Sequence, residues 1–132
     1  MNKVMLIGRL VAAPETTKTS TDKTVLRSTI AVKRRFKNAE GVQETDFISI
    51  VIWGRRAEAL ASYAKKGTLI AVEGELRIRN YTDKQEQKQY VTEVIVQNFE
   101  FLESRATVAM RQGNAIDSED LDLKLEEEEL PF

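Results

Sequence analysis

Two residue types that carry much of enzyme chemistry are missing from the sequence. Its 132 residues include no cysteine and no histidine. The first absence excludes disulfides, thiol nucleophiles and thiolate metal ligands, and the second excludes serine–histidine–aspartate catalysis. No apolar run approaches the roughly 18 residues that a membrane-spanning helix needs. These absences direct attention to binding rather than to catalysis.

Other enzyme signals are weak as well. The sequence contains no glycine-rich phosphate loop and no dinucleotide fingerprint. Glu73 and Glu75 share one face of a predicted strand, but solvated carboxylates are favoured there over a metal pair. The glutamates at 126–129 lack the glycine turn and the alternating ligands of a calcium loop. We therefore predict no enzyme activity, no cofactor and no small-molecule substrate, and a hydrolase is nearly excluded.

The first residues do not resemble a secretory leader. Lys3 precedes the apolar residues 4–7, and Gly8-Arg9 ends that run. Four apolar residues fall short of the 7–15 that a signal peptide requires. A sequence without cysteine fits a reducing compartment. We expect a cytoplasmic protein that does not contact membranes.

Charge is distributed unevenly along the chain. Residues 1–103 carry 17 Lys and Arg against 13 Asp and Glu, a net charge of +4. Residues 104–132 carry 3 against 8, a net charge of −5. A basic body with an acidic tail is common in proteins that handle nucleic acid, although charge alone favours a globular domain with a solvated acidic end.

Hydrophobic periodicity predicts strands at 2–11, 24–36, 45–53, 68–81 and 89–102, a loop at 14–23 and one helix at 55–66 that ends before Gly67. The predicted inward positions are Leu26, Ser28, Ile30, Val32, then Ile48, Ile50, Ile52, then Ile70, Val72, Gly74, Leu76 and Ile78. One short helix cannot cover five strands, so the sheet must close on itself or pair with another copy. We predict an all-β OB-fold at 1–103, a partly open five-stranded barrel plugged by the helix. A flexible acidic tail at 104–132 follows it.

Aromatic and basic residues alternate on the predicted outer sides of the strands. Phe47 and Trp53 share one face of the third strand, because side chains alternate with period two. Cations surround these rings and the neighbouring Phe36 and Tyr81; they are Lys33, Arg34, Arg35, Lys37, Arg55, Arg56, Arg77 and Arg79. A single strand of nucleic acid offers phosphates to cations and unpaired bases to rings, each stacked base contributing roughly 1–3 kcal/mol. If the two faces of the third strand were assigned the other way round, the rings would lie in the core and Ile48, Ile50 and Ile52 would be exposed, which is less favourable. A second alternative is that the rings face a partner subunit.

Several ordered segments resemble bacterial single-stranded DNA-binding proteins. They are NKVMLIGRL at 2–10, FISIVIWG at 47–54, YAKKG at 63–67, VEGELR at 72–77, YTD at 81–83 and YVTEV at 90–94, with EEEELPF at 126–132. The resemblance covers residues 1–103 and the last seven. It implies an OB-fold that assembles as a homotetramer and is wrapped by single-stranded DNA without sequence preference.

The resemblance also implies site residues. Stacking positions map onto Phe36, Phe47, Trp53 and Tyr81, and phosphate contacts onto Arg55, Arg56, Arg77 and Arg79, with Lys33, Arg34, Arg35 and Lys65 less firmly placed. The family's tip binds replication, recombination and repair proteins, and here it would comprise Glu126, Glu127, Glu128, Glu129, Leu130, Pro131 and Phe132. Three stacking positions that often hold tryptophan hold Phe36, Phe47 and Tyr81. The long linker of many members is missing.

The short chain resembles the second copies that some naturally transformable Gram-positive bacteria carry, which suggests a role with incoming DNA; a phage or plasmid copy is the alternative. Two other functions stay open. An RNA-binding OB module would use the same rings and cations. An interaction scaffold would place the rings in a subunit interface.

Overall fold

The computed structural model describes residues 1–104 and residue 110, and six strands and one helix occupy this part of the chain. The elements are β1 (Val4–Leu10), β2 (Thr16–Lys18), β3 (Thr24–Lys37), β4 (Gln43–Trp53), α1 (Arg55–Tyr63), β5 (Leu69–Thr82) and β6 (Lys88–Phe101). No helix in these residues is long and apolar enough to cross a membrane. The partner-binding tip predicted at 126–132 lies outside the described residues.

The sheet closes into a barrel. Its strand order is β1-β5-β6-β4-β3-β2, and an additional β1–β3 pairing joins the two sides. Two residue pairs form that junction, and two more form the parallel β4–β6 junction. The five long strands and the one short helix confirm the predicted OB-fold.

Strand β2 was not expected. It lies inside the segment predicted as a loop, where Thr16 pairs with Leu26 and Lys18 with Thr24. The β-branched Thr16 and Thr17 suit an extended backbone, and the start of β3 offers them an open edge. The prediction of a loop at 14–23 is therefore wrong over these three residues.

The core forms from the strand positions that alternation assigned inward. Leu26 and Ile30 of β3, Ile50 and Ile52 of β4, and Ile70 of β5 are fully buried. The helix packs Ala57 and Leu60 against this core, and Ala64, the residue after the helix, joins the same cluster. Each buried aliphatic side chain stabilises the fold by about 1.5–3 kcal/mol relative to exposure, so this cluster is the main source of stability.

Helix α1 ends three residues earlier than predicted. Ala64 takes an extended conformation while its N–H donates to the Leu60 carbonyl. Lys65 and Lys66 therefore follow the helix instead of forming its last turn. Gly67 has a φ of 86° and lies in the tight turn that the Thr68 N–H closes on the Lys65 carbonyl. Its positive φ serves that turn rather than the helix cap.

The second halves of β5 and β6 extend as a two-stranded hairpin. Their pairing continues without interruption from Gly74 and Val96 to Thr82 and Lys88. Leu76 and Ile78 were expected inside the barrel, but both are exposed. Alternation places them on the inward side of the strand, and the hairpin has left the barrel by that point.

Candidate nucleic-acid interface

Strand register joins β3, β4, β6 and β5 into one continuous surface. Trp53 pairs with Val25 and Phe47 pairs with Ala31 across β3 and β4. The parallel junction sets Val51 beside Ile95, and β6 in turn sets Gln89 beside Tyr81. We call the outward side of these four strands the outer face. It carries three of the four predicted rings.

The four predicted stacking rings are accessible. The exposed fraction is 79% for Phe36, 70% for Phe47, 42% for Trp53 and 48% for Tyr81. Phe47 and Trp53 point away from the core as predicted and lie about 20 Å apart along β4, at about 3.3 Å per residue. Phe36 lies within the irregular stretch between Lys33 and Lys37, where no register partner fixes it to the outer face. That these rings stack on bases stays a prediction.

Two of the rings carry a guanidinium on one side. The Arg79 guanidinium carbon lies 5.9 Å from the centre of the Tyr81 ring, and that of Arg35 lies 5.7 Å from the centre of the Phe36 ring. Both distances are within the range of a cation–π contact. A base that stacks on either ring would use the opposite side and find a cation close by.

The predicted cations at the end of β4 are available to a ligand. Arg55 and Arg56 open helix α1 directly after Trp53 and are exposed. Within the described part of the chain neither forms a salt bridge. They are placed to meet phosphates of a strand that stacks on Trp53.

Other predicted cations differ in their surroundings. Lys33 is exposed and pairs in register with Thr45, and Lys65 lies in the turn after α1. Arg77 donates to Glu75 at 3.1 Å on the outer face. The structure therefore brings Arg77 and Arg79 beside the rings, whereas register does not bring Lys65 there.

Arg34 sits between two carboxylates. Its guanidinium donates to Asp46 and to Glu44 across the β3–β4 pair. The hydrogen bond with Asp46, followed by the two negative charges, raises the pKa of Arg34. The same bond lowers the pKa of Asp46. A phosphate would meet a cluster whose negative charges outnumber its positive one, so Arg34 is the predicted contact that the local electrostatics favour least.

Sequence reasoning missed two residues of the outer face. Glu93 of β6 is 5% exposed, and its carboxylate accepts from Arg27 at 3.3 Å and from Arg79 at 3.1 Å. Arg27 occupies an outward position of β3, two residues from Val25. Period-two counting from the inward Leu26 would have identified Arg27. It would not have identified its partner, which belongs to a strand more than sixty residues later.

Among the residues that the structure describes, no group of acidic side chains is arranged to hold a metal ion. The outer face combines exposed rings with arginines that are bonded to carboxylates of the same sheet. Such a surface binds a flexible polyanion that has flat apolar groups.

The family model and the individual proteins that this chain resembles point to the same family. Residues 1–102 match the model of the single-strand binding protein family. The chain is 59% identical over 131 residues to single-stranded DNA-binding protein 1 of Streptococcus pyogenes serotype M6, covering 99% of this chain and 98% of that protein. It is also 59% identical over 132 residues to single-stranded DNA-binding protein 2 of Streptococcus agalactiae serotype V, with the same coverage. Single-stranded DNA-binding protein 1 of that strain is 44% identical over 118 residues, which is 89% of this chain and 71% of that protein.

Proposed function

Because the chain belongs to the single-strand binding protein family, we propose that it binds single-stranded DNA without sequence preference, through the rings and arginines of the outer face. The observation that carries the proposal is the exposure of Phe47, Trp53 and Tyr81 on one continuous surface with Arg77 and Arg79. Bases stack on the rings while phosphates meet the cations. A duplex hides its base faces and leaves the rings unused.

The proposed activity is non-enzymatic, as is the family's. A protein that binds only unpaired DNA pulls hairpins open, because binding removes the unpaired form from the equilibrium. Affinity falls as salt rises, with a logarithmic slope of about −0.7 per phosphate neutralised. The protein therefore protects exposed strands and keeps them accessible.

The decisive experiment uses the only tryptophan in the chain. Poly-dT is titrated into the protein while Trp53 fluorescence is followed at low and high salt, with duplex DNA and poly-rU as controls. Strong quenching by poly-dT alone, weakened by salt, supports the proposal. Equal or stronger binding of poly-rU would favour an RNA-binding module. Absence of binding in an independent assay would favour an interaction scaffold.

The proposal includes assembly as a homotetramer. Two groups of exposed apolar side chains support it. Met5 and Ile7 are exposed on β1, whose pairing with β3 is limited to Arg9 and Leu10. The hairpin of β5 and β6 exposes Leu76, Ile78 and Tyr90 on the side opposite its arginines. Light scattering coupled to gel filtration measures the assembled mass directly.

The last seven residues are proposed to recruit other DNA-processing proteins in replication, recombination and repair. The support is their sequence, four glutamates followed by Leu130, Pro131 and Phe132. A terminal ring and carboxylate next to acidic residues suit a basic pocket with an apolar floor. The tail carries this function, and the barrel carries DNA binding.

The cellular role we propose is the handling of incoming DNA during natural transformation, in the cytoplasm. Its support is length: one Streptococcus agalactiae strain has a protein matched over 98% of its length and a second one matched over 71%. Two copies of different length allow one to serve a dedicated process. Deleting the gene in a transformable host is expected to lower transformation frequency while growth rate stays constant; a growth defect with normal transformation would assign it to replication.

A further inference from the structure

A nearly buried carboxylate lies in the middle of the outer face. Glu93 is 5% exposed, and charged side chains are rarely buried unless they are paired. Its two carboxylate oxygens are shared between two arginines from different strands: Oε2 accepts from Nη1 of Arg27, and Oε1 accepts from Nε of Arg79. The three side chains therefore form one ionic cluster with a net positive charge.

Arg27 reaches this cluster across a whole strand. It projects from β3, whereas Glu93 projects from β6, and β4 lies between them. Val51 of β4 pairs with Arg27 on one side and with Ile95 on the other. Val51 points outward but is only 2% exposed, as expected if the aliphatic stem of Arg27 lies over it. The guanidinium is thereby held near the centre of the face.

Arg79 is held in a way that leaves its donors available. The bond to Glu93 uses Nε, and among the described residues neither terminal nitrogen of Arg79 donates a hydrogen bond. The same guanidinium lies 5.9 Å from the centre of the Tyr81 ring. Both arginines remain about half exposed. Each guanidinium therefore keeps N–H groups that are not used in the bond to Glu93.

We propose that Arg27 and Arg79 form one phosphate-binding position between Trp53 and Tyr81, and that Glu93 is the positioning residue that fixes both guanidinium groups. Two arginines bonded to one carboxylate lie close enough to share a phosphate, and a guanidinium fork matches phosphate oxygens geometrically. Fixing long side chains before binding reduces the entropy lost on binding. The inference rests on the proposed binding of single-stranded DNA.

The first test is Arg27→Gln. Glutamine keeps part of the aliphatic stem over Val51 and a donor for Glu93, but it removes the charge. We expect poly-dT affinity, measured by Trp53 quenching, to fall about tenfold, and the logarithmic salt slope to become shallower by about 0.7. Arg27→Lys is expected to keep the salt slope and lose part of the affinity, because a point charge replaces the fork. Wild-type affinity and slope in Arg27→Gln would overturn the phosphate position.

The second test separates positioning from charge. Glu93→Gln keeps the shape of the side chain and makes the protein more positive, which by electrostatics alone would tighten DNA binding. Positioning predicts the opposite, binding weakened several-fold, with a smaller loss when Arg27→Gln is already present, because only Arg79 is then left to be released. The matched control is Glu73→Gln, which removes the same charge from an exposed ion pair with Lys3. Tighter binding by Glu93→Gln, by the same factor as the control, would overturn the positioning role.

Thermal unfolding of each variant without DNA checks the fold. If Glu93→Gln unfolds at the assay temperature, the Arg27 variants decide the proposal, since that side chain is half exposed. Failure of this inference is distinct from failure of the proposed function. The wild-type titration reports whether single-stranded DNA binds at all, and the variants report where its phosphates lie.

Discussion

The outward rings of β4 differ in how much they contribute to packing, which decides which of them is suitable for mutation. Phe47 is mostly exposed and lies opposite the small Ala31. Trp53, in contrast, lies beside Val25, which is buried on the outer face. Removing the phenylalanine ring therefore tests binding with little effect on stability, whereas removing the tryptophan also uncovers an apolar neighbour.

Phe47→Ala is expected to weaken binding of poly-dT by about 1–3 kcal/mol, the contribution of one stacked base. Trp53 remains in this variant, so its quenching reports the affinity directly. The matched control is Tyr63→Ala, which removes an exposed ring on helix α1 that packs edge-on against Phe101 and lies off the outer face. Equal losses in both variants would indicate a general effect of ring removal and contradict a stacking role for Phe47.

For single residues, the sequence predicts well which side of a strand a side chain faces, but it predicts poorly which distant residue that side chain contacts. Period-two alternation assigned Phe47 and Trp53 outward and Ile50 and Ile52 inward, and the structure confirms both. The ion pair of Arg27 with Glu93 was not predicted, because it forms only when β6 pairs in parallel with β4. That junction is set by barrel closure, which no local pattern encodes.

At the scale of elements, the bend of β5 depends on a missing side chain. Gly74 sits at the register shift between β5 and β6. A Cβ atom there would lie 2.0 Å from the Ile95 carbonyl oxygen and 2.8 Å from its carbonyl carbon. The obstacle is backbone, so it cannot move aside by a side-chain rotation. The strand leaves the barrel for the hairpin at this point.

Gly74→Ala is therefore expected to lower the free energy of unfolding by at least about 1–3 kcal/mol, as overpacking does. Urea unfolding at a fixed protein concentration measures it. Gly41→Ala is the control: its φ is 79°, but a Cβ there meets nothing within 4 Å. Gly41→Ala is expected to lower the free energy of unfolding only by the strain of the left-handed backbone, about 1–2 kcal/mol. A smaller loss for Gly74→Ala than for Gly41→Ala would show that β5 shifts to make room.

The turn of the β5–β6 hairpin is organised by one carboxylate. Oδ1 of Asp83 accepts the backbone N–H groups of Gln85 and Gln87 at 2.9 Å, and Oδ2 accepts from the Gln89 side chain at 3.1 Å. The bond from Gln87 contributes most to lowering the pKa of Asp83 below its ordinary value of 3.8. Glu86 takes a φ of 61° within this turn.

A lowered pKa means that the carboxylate stabilises the turn above pH 3.8 and that this contribution disappears as pH falls through the lower, folded value. We expect the amide resonances of Gln85 and Gln87 to titrate with a midpoint below 3.8. In Asp83→Asn this titration is expected to vanish, since an amide carries no charge. A midpoint at or above 3.8 would contradict the hydrogen-bonded turn.

Element boundaries were predictable to within a few residues, except where nonlocal contacts decide them. Helix α1 stops at Tyr63 because Ala64 must turn its small side chain into the core, which the run of helix-forming residues does not reveal. Leu76 and Ile78 follow the alternation of a core strand, yet they lie on the part of the hairpin outside the barrel. Alternation reports which side a residue faces, and only the assembled barrel determines whether that side is covered.

At the scale of the whole molecule, charge separates the chain into two parts that attract each other. Residues 1–103 have a net charge of +4 and residues 104–132 a net charge of −5. Residues 104–132 are joined to the barrel by the chain itself, so we expect a high effective concentration of their acidic side chains around it. We therefore expect the acidic tip to compete with the phosphates of DNA for the arginines of the barrel, and a partner bound to the tip to relieve that competition.

Deleting residues 126–132 removes four glutamates and the apolar end together. We expect this truncation to tighten poly-dT binding at low salt, to leave affinity nearly unchanged at high salt where the attraction is screened, and to abolish capture of DNA-processing proteins. The matched variant Phe132→Ala keeps all four charges. It is expected to keep wild-type DNA affinity while losing partner capture, because the terminal ring fills the apolar part of the pocket. Equal low-salt affinities of the truncated and full-length proteins for poly-dT would disprove competition by the tail. Capture of DNA-processing proteins by the truncated protein would disprove the recruiting role of the tip.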